Sequence, residues 1–240
     1  MLVAENLTKR YDDGNLALDN LNLTINEGET FCLLGANGAG KTTTINMLFN
    51  FIQPTEGRVL VGGVDSAKSP LEARKQMAYI SENVMLYGVL TAKQNLKFFA
   101  DISGKSSSTI DFAILLDRVG LDRAFLNSRV RTFSKGMRQK LGLAIALMRD
   151  TPVIVMDEPT SGLDPKASKD FIDLVIELKN SGKTMLISTH DIHRVKEIGD
   201  RAGIMKRGKM VIEKKNSEFD TESLQSMYIQ CMSESEDPEH

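Results

Sequence analysis

Residues 35–43 read Gly35-Ala36-Asn37-Gly38-Ala39-Gly40-Lys41-Thr42-Thr43, and this stretch decides the fold. It follows the apolar run Phe31-Cys32-Leu33-Leu34 and precedes a helix-like segment that begins near Ile45. A strand, glycine-rich loop and helix in this order curl backbone N–H groups around polyanionic oxygens, because glycine permits the turn and the close approach. Lys41 adds a positive charge, and the Thr42 hydroxyl is a ligand for Mg²⁺. The stretch predicts phosphate binding and leaves an enzyme, a switch and a kinase all open.

The composition limits the partners and the compartment. Thirty basic residues oppose thirty-two acidic ones, so the net charge is −2 and no overall field attracts nucleic acid or an anionic membrane. The two cysteines, Cys32 and Cys231, suggest no disulfide framework and favour a reducing compartment. No apolar run approaches the roughly 20 residues that span a bilayer, and the N-terminus lacks the pattern of a secretory signal. We therefore expect a cytoplasmic protein without a nucleic-acid partner, whose membrane role requires another subunit.

Hydrophobic patterning predicts an α/β fold with an inserted helical region. We expect strands at 2–7, 18–25, 29–34, 58–61, 77–81, 153–156, 184–188, 202–205 and 210–212 and helices at 70–76, 92–101, 109–119, 135–149, 166–180 and 192–198. Strands that alternate with helices favour a parallel sheet, and the near absence of strand signals over about 83–150 predicts a helical subdomain. The predicted domain covers 1–215, and 216–240 is a polar, acidic tail with one short amphipathic segment.

Further motifs, in a fixed order after the phosphate loop, carry a family resemblance. They are the signature-like Phe133-Ser134-Lys135-Gly136-Met137-Arg138-Gln139, the acidic Asp157-Glu158-Pro159-Thr160, the loop Ser161-Gly162-Leu163-Asp164, and His190 after Ser188-Thr189. With them, residues 2 to about 213 closely resemble the ATP-binding subunit of ATP-binding-cassette (ABC) transporters. The resemblance implies a P-loop NTPase with a RecA-like parallel core, an N-terminal antiparallel sheet and a helical subdomain.

The resemblance also implies how the site works. Asp157, at the end of a buried apolar run, is suited to hold Mg²⁺ with Thr42, while Glu158 is the candidate for polarising the attacking water. His190 is expected to donate to the γ-phosphate, and Tyr11 to stack on adenine. In the family, the residues equivalent to Ser134 and Gly136 meet the γ-phosphate held by a second subunit, which implies a head-to-tail dimer with a second copy or a paralogue. His193 and His240 lack such a context, and we expect both to face solvent.

Three positions depart from the usual family pattern. The signature has Lys135 and Met137 where glycine and glutamine are common, a variant that resembles branches linked to export of sodium or hydrophobic drugs. Glu82 stands where the family usually has glutamine; its oxygen is a third candidate ligand for Mg²⁺, and its charge should alter metal affinity or coupling.

The expected function is hydrolysis of ATP to ADP and phosphate in an export complex. The transmembrane permease would dock on a groove around residues 82–100 and hold the subunit on the inner face of the membrane. A soluble cassette ATPase acting on ribosomes or another assembly is the alternative, although such proteins often carry two cassettes, coiled coils or basic extensions. A non-hydrolysing nucleotide-binding module is disfavoured by Glu158 and His190.

Overall fold

The computed structural model describes residues 1–233, in which ten strands and eight α-helices form two sheets and the layers that cover them. The strands are β1 (Leu2–Arg10), β2 (Leu16–Ile25), β3 (Thr30–Gly35), β4 (Glu56–Val61), β5 (Val64–Asp65), β6 (Met77–Ile80), β7 (Val153–Asp157), β8 (Thr184–Thr189), β9 (Arg201–Lys206) and β10 (Lys209–Lys215). The helices are α1 (Lys41–Leu48), α2 (Pro70–Lys75), α3 (Ala92–Ile102), α4 (Phe112–Arg118), α5 (Lys135–Arg149), α6 (Pro165–Asn180), α7 (Ile192–Ile198) and α8 (Thr221–Ser233).

The larger sheet has the strand order β10-β9-β3-β8-β7-β6, in which all neighbours are parallel except the β9–β10 hairpin. Every residue of β3, β7 and β8 is buried, as expected of parallel strands that are covered on both faces. Leu34 aligns with Thr189, and Asp157 aligns with Ser188. This register brings the carboxyl ends of the central strands, and the loops that follow them, to one edge of the sheet.

The smaller sheet has the order β2-β1-β4-β5 and is antiparallel, which confirms the expected N-terminal sheet. It shares one hydrophobic core with α1 and with one face of the larger sheet. Alternate residues of β3 serve the two faces: Phe31 and Leu33 join this core, whereas Cys32 and Leu34 join the core on the other side. Ile45 of α1 is fully buried, so both sheets fix the helix that follows the phosphate loop.

The chain between β6 and β7 is helical, with α3, α4 and α5 packed together. Ser134 caps α5, since its hydroxyl accepts a hydrogen bond from the Met137 N–H at 3.2 Å. The helix expected over 135–149 is confirmed, and Leu141, Ala144 and Met148 on its inner side are buried while Ile145 is partly buried. The loop after β6 is held by the side chain of the buried Asn95, which bonds both the N–H and the carbonyl of Tyr87.

The segment from residue 216, which the sequence sets apart as a tail, lies against the core as far as it is described. Phe219 and Leu224 are buried there, and Lys206 Nζ donates to the carbonyl of Cys231 in α8. His193 is exposed, whereas the expectation for His240 lies outside the described residues. Within residues 1–233, none of the helices combines the length and the apolar character needed to cross a membrane.

Candidate functional site

The phosphate loop joins the end of β3 to the start of α1. Gly40, the residue before α1, has a φ of 108°, and a Cβ there would lie 2.8 Å from the carbonyl oxygen of Ala17. Only glycine meets both conditions, so the left-handed turn and the close packing against β2 explain the residue at this position. The first N–H groups of α1 therefore point out of the loop without a partner within the helix.

Lys41 crosses the loop from the first position of α1. Its ammonium is almost fully buried; it donates to the carbonyl of Gly35 at 2.6 Å and to that of Ala36 at 3.3 Å. The same nitrogen lies 3.3 Å from Glu158 Oε1. The distance fits an ion pair, but the geometry does not fit a hydrogen bond, because Oε1 is buried without a hydrogen-bond donor. We interpret the contact as electrostatic attraction.

Asp157, at the end of β7, is oriented by two hydroxyl groups. Ser188 Oγ donates to its Oδ1 at 2.5 Å from the neighbouring strand β8, and Thr42 Oγ1 donates to its Oδ2 at 3.1 Å from α1. The carboxylate and the Thr42 hydroxyl that the sequence assigned to one metal thus lie side by side.

Glu158 has a backbone conformation that is rare for its residue type. Its φ is 46°, in the left-handed region, and its N–H bonds both the carbonyl and the hydroxyl of Ser188 at 3.2 and 3.0 Å. Strain of this kind persists where surrounding contacts impose it, often at functional sites. The turn points the carboxylate between Lys41 and His190, whose Nδ1 is 2.8 Å from Oε2.

A cavity of about 450 Å³ opens beside these groups. Most of the predicted site residues line it: Tyr11, Ala36, Asn37, Gly38, Ala39, Gly40, Lys41, Thr42, Thr43, Glu82, Asp157 and Glu158. Gly35 supplies the carbonyl that Lys41 bonds. The Tyr11 ring is partly exposed, with Lys9 Nζ 5.3 Å from its centroid. The cavity therefore has an aromatic side chain as well as a phosphate loop.

Several residues that line the cavity belong to none of the motifs recognised in the sequence. Asn15, Leu16, Ala17 and Arg207 also border the cavity. Tyr79 of β6 lies behind it, where burial and then the neighbouring Asp157 carboxylate raise the pKa of the phenol to about 12. Asn15 follows the polar loop that holds Tyr11. Its nearness to Tyr11 in the sequence was the one signal that could have placed it at the cavity.

Three of the predicted residues lie elsewhere. His190 borders a second, smaller cavity with Ser161 and Thr189, and it reaches the phosphate side only through Glu158. Ser134 and Gly136 lie at the start of α5 and do not line the phosphate cavity of their own chain. In this chain the Ser134 hydroxyl serves as the helix cap.

Glu82 lies where three segments meet. Its Oε1 accepts a hydrogen bond from Ser161 Oγ at 2.8 Å and lies 3.7 Å from Lys135 Nζ. Its carbonyl accepts from Gln139 Nε2 of α5 at 2.9 Å. The loop after β6 is thereby tied to the start of α5 and to the loop after β7.

Known proteins are similar to this chain in sequence and in fold. The family described as ABC transporter matches residues 18–161. The ABC transporter ATP-binding protein NatA of Bacillus subtilis is 36% identical over 217 residues, which cover 88% of each protein. The human retinal-specific phospholipid-transporting ATPase ABCA4 is 36% identical over 209 residues; the match covers 86% of this chain and 9% of that much longer protein.

Among solved structures, the dimeric post-hydrolysis state of the ATP-binding cassette MJ0796 with ADP and Pi has a TM-score of 0.80 and 29% identity, and the match covers 90% of this chain and 99% of that one. The expected fold, a parallel core with an N-terminal antiparallel sheet and a helical region, is confirmed by this likeness and by the two sheets. The chain belongs to the ABC transporter family and is an ATP-binding, ATP-hydrolysing member of it.

Proposed function

We propose that this chain binds Mg²⁺-ATP in the 450 Å³ cavity and uses its hydrolysis to drive export through a separate transmembrane subunit. Tyr11 stacks on the adenine ring, while Lys41 and the N–H groups of residues 36–43 hold the phosphates. The observation that carries the proposal is the position of Glu158, whose two oxygens lie 3.3 Å from Lys41 Nζ and 2.8 Å from His190 Nδ1.

The oxygen donors beside the phosphate loop suit Mg²⁺. The Thr42 hydroxyl oxygen and Asp157 Oδ2 lie 3.1 Å apart near the N-terminal end of α1. Glu82 borders the same cavity. Magnesium prefers hard oxygen ligands and usually takes only one or two from the protein. When bound, it neutralises charge on the phosphates that react.

Glu158 orients and deprotonates the attacking water in this proposal. Its carboxylate is mostly buried, and the turn at Glu158 is fixed by two hydrogen bonds from its own N–H to Ser188. Phosphoryl transfer depends mostly on positioning and charge neutralisation, so a rigid acceptor is what the reaction requires. His190 is hydrogen-bonded to Glu158 and borders the neighbouring cavity. Its role as a donor to the γ-phosphate is inferred from its place in the family pattern.

The active form is a head-to-tail dimer in which each site uses both chains. Ser134 and the Gly136 backbone lie at the positive end of α5, away from the cavity of their own chain. They are therefore available to the γ-phosphate of a neighbouring subunit. MJ0796, described as dimeric with ADP and Pi, supports this arrangement.

The transmembrane partner docks on the groove around residues 82–100, which includes the loop after β6 and most of α3. Met85, Val89 and Phe98 are exposed there, with 85% of Met85 and 73% of Val89 accessible. Apolar side chains grouped on a surface are typical of an interaction site. Such docking would hold the subunit at the cytoplasmic face of the membrane. Export is favoured over import by the signature variant Ser134-Lys135-Gly136-Met137.

The test is Glu158→Gln, which keeps the shape of the side chain but removes its basicity. We expect ATP binding to persist and turnover to fall by about 10²- to 10⁴-fold, the usual contribution of a general base. The measurements are ATP affinity by calorimetry and phosphate release, with Glu197→Gln on the exposed face of α7 as the control. Unchanged turnover would refute the role of Glu158. Co-purification with a detergent-solubilised membrane protein supports a transmembrane partner, whereas sedimentation with ribosomes contradicts it.

A further inference from the structure

Lys135 and Glu82, two of the positions that depart from the family pattern, lie next to each other. Lys135 Nζ is 3.7 Å from Glu82 Oε1, the oxygen that also accepts the hydrogen bond from Ser161. The two residues are far apart in sequence, and the fold alone brings them together. Their side chains are 27% and 46% exposed, so water screens the pair in part.

The charged residues that line the phosphate cavity link this pair to ligand binding. Two cations, Lys41 and Arg207, and three carboxylates, Glu82, Asp157 and Glu158, line the cavity. A nucleoside triphosphate is a polyanion, and the excess of carboxylates opposes its binding. Lys135 does not line the cavity, but its charge lies beside Glu82, whereas Glu158 already has Lys41 and His190 as neighbours. Lys135 brings the local balance of charge to neutrality.

The position of Lys135 is itself costly without a partner. It is the first residue of α5, where the positive end of the helix dipole disfavours a cation. The side chain extends over Gly162, where a Cβ would lie 3.2 Å from Nζ. Gln139, one turn further along α5, donates to the carbonyls of Ser81 and Glu82 at 3.3 and 2.9 Å. Backbone and side-chain contacts thus hold the Glu82 loop and the start of α5 in one arrangement.

We propose that Lys135 is a positioning residue for ATP binding, which neutralises the Glu82 carboxylate and holds it against Ser161 so that the cavity accepts a nucleoside triphosphate. The inference rests on the proposed function of the cavity as the ATP site. It makes the two unusual residues mutually dependent: the carboxylate at 82 is tolerated because a lysine stands at 135. A surface ion pair at this distance contributes little to folding stability, so the pair acts on the ligand and not on the fold.

The experiment is a double-mutant cycle on the full chain with Lys135→Gln, Glu82→Gln and the combined variant. The probe is a non-hydrolysable ATP analogue, titrated by calorimetry with Mg²⁺ and with EDTA, at low and at high salt. We expect Lys135→Gln to weaken binding about fivefold, the upper range for an exposed ion pair, and to have almost no effect when Glu82→Gln is present. The loss should be larger in EDTA, where no metal charge compensates, and smaller in high salt.

Controls separate this role from a structural one. Lys135→Arg should keep the parent affinity, and Lys166→Gln should not change it, because Lys166 is an exposed lysine in the first turn of a different helix, α6. Melting temperatures of all variants should agree. An equal loss of affinity from Lys135→Gln with and without Glu82→Gln would overturn the proposal, as would a loss that follows the melting temperature. Failure of the parent protein to bind the analogue would instead refute the proposed function.

Discussion

The buried hydroxyl of Ser188 should control both stability and turnover. It donates to Asp157 Oδ1 at 2.5 Å and accepts from the Glu158 N–H at 3.0 Å, and the residue has no exposed surface. Ser188→Ala removes both bonds. The Glu158 N–H keeps the Ser188 carbonyl at 3.2 Å, whereas Asp157 Oδ1 loses its hydroxyl partner from β8.

The expected cost follows from these contacts. A hydrogen bond to a charged group contributes about 1.5–3 kcal/mol, so the free energy of unfolding should fall by about 2 kcal/mol. For a chain of this size the melting temperature should fall by roughly 4–8 °C. Because the orientation of Asp157 and of the strained turn at Glu158 depends on this hydroxyl, kcat should also fall about tenfold, as is typical when a supporting partner of a metal-binding carboxylate is removed.

The assay compares thermal melting with phosphate release measured well below both melting temperatures. Thr184→Val is the matched control, since it removes a buried hydroxyl from the other end of β8, where Thr184 Oγ1 accepts from the Gly28 N–H at 2.9 Å. It should lower stability without changing kcat. If folded Ser188→Ala protein turns over ATP at the parent rate, or if Thr184→Val loses as much activity, Ser188 does not orient the site.

Two further predictions concern the sheet and the phenol behind the cavity. Gly57→Ala should destabilise the protein by more than about 2 kcal/mol, because Gly57 has a φ of +82° and a Cβ there would overlap the carbonyls of Glu5 and Asn6. Gly63 has a φ of +81°, but an added Cβ there would meet no other atom. Gly63→Ala should therefore lower the free energy of unfolding by a smaller amount, due only to the unfavourable φ, in chemical denaturation. Burial and Asp157 raise the pKa of Tyr79 to about 12 from its ordinary 10.0, so the unfolded chain loses this proton first as the pH rises. Stability should therefore be intact below about pH 10 and fall between about pH 10 and 12, and Tyr79→Phe should flatten that fall in thermal melts.

Other outcomes would contradict these two predictions. Equal destabilisation by both alanine substitutions would show that overlap with the β1 carbonyls is not decisive. A tyrosinate absorbance that appears near the ordinary pKa of 10.0 in the folded protein, and is lost in Tyr79→Phe, would show that Tyr79 titrates normally.

The parallel strands could be predicted because burial on both faces leaves a continuous apolar run. The runs at 153–156 and 184–188 predict strands that the structure extends by one residue each, to Val153–Asp157 and Thr184–Thr189. The extra residue of each strand is polar and lies at its carboxyl end. The apolar run ends there, but the hydrogen bonding of the sheet continues for one more residue.

Helix α4 shows where periodicity alone was insufficient. The prediction of a helix over 109–119 was too long, because α4 spans Phe112–Arg118 and a 3₁₀ turn occupies Ser107–Thr109. Asp111 sets the start by accepting from the N–H groups of Ala113 and Ile114. An aspartate before an apolar run is a helix-capping signal, and it was available in the sequence.

The site was predictable in its motifs but not in its supporting contacts. Lys41, Thr42 and Asp157 follow from local patterns, since each has a distinctive neighbour sequence. Ser188 and Tyr79 do not, because their contacts with Asp157 depend on how β6, β7 and β8 align. The contact between Lys135 and Glu82 likewise depends on tertiary structure, and their own segments contain no signal for it.

The place of β8 in the sheet has a consequence for how the protein is made. It lies between β3 and β7, which carry the phosphate loop and Asp157, so these two strands have no direct contact in the sheet. The start of β8 is bonded to the turn just before β3, since the Gly28 N–H donates to Thr184 Oγ1 across 156 positions of sequence. Pairing over such a distance is slow, and a chain in which β8 has not yet inserted exposes two apolar strand edges. Substitutions at Met185 or Ile187 should therefore lower the yield of soluble protein during synthesis. The molecules that do fold should hydrolyse ATP at the parent rate.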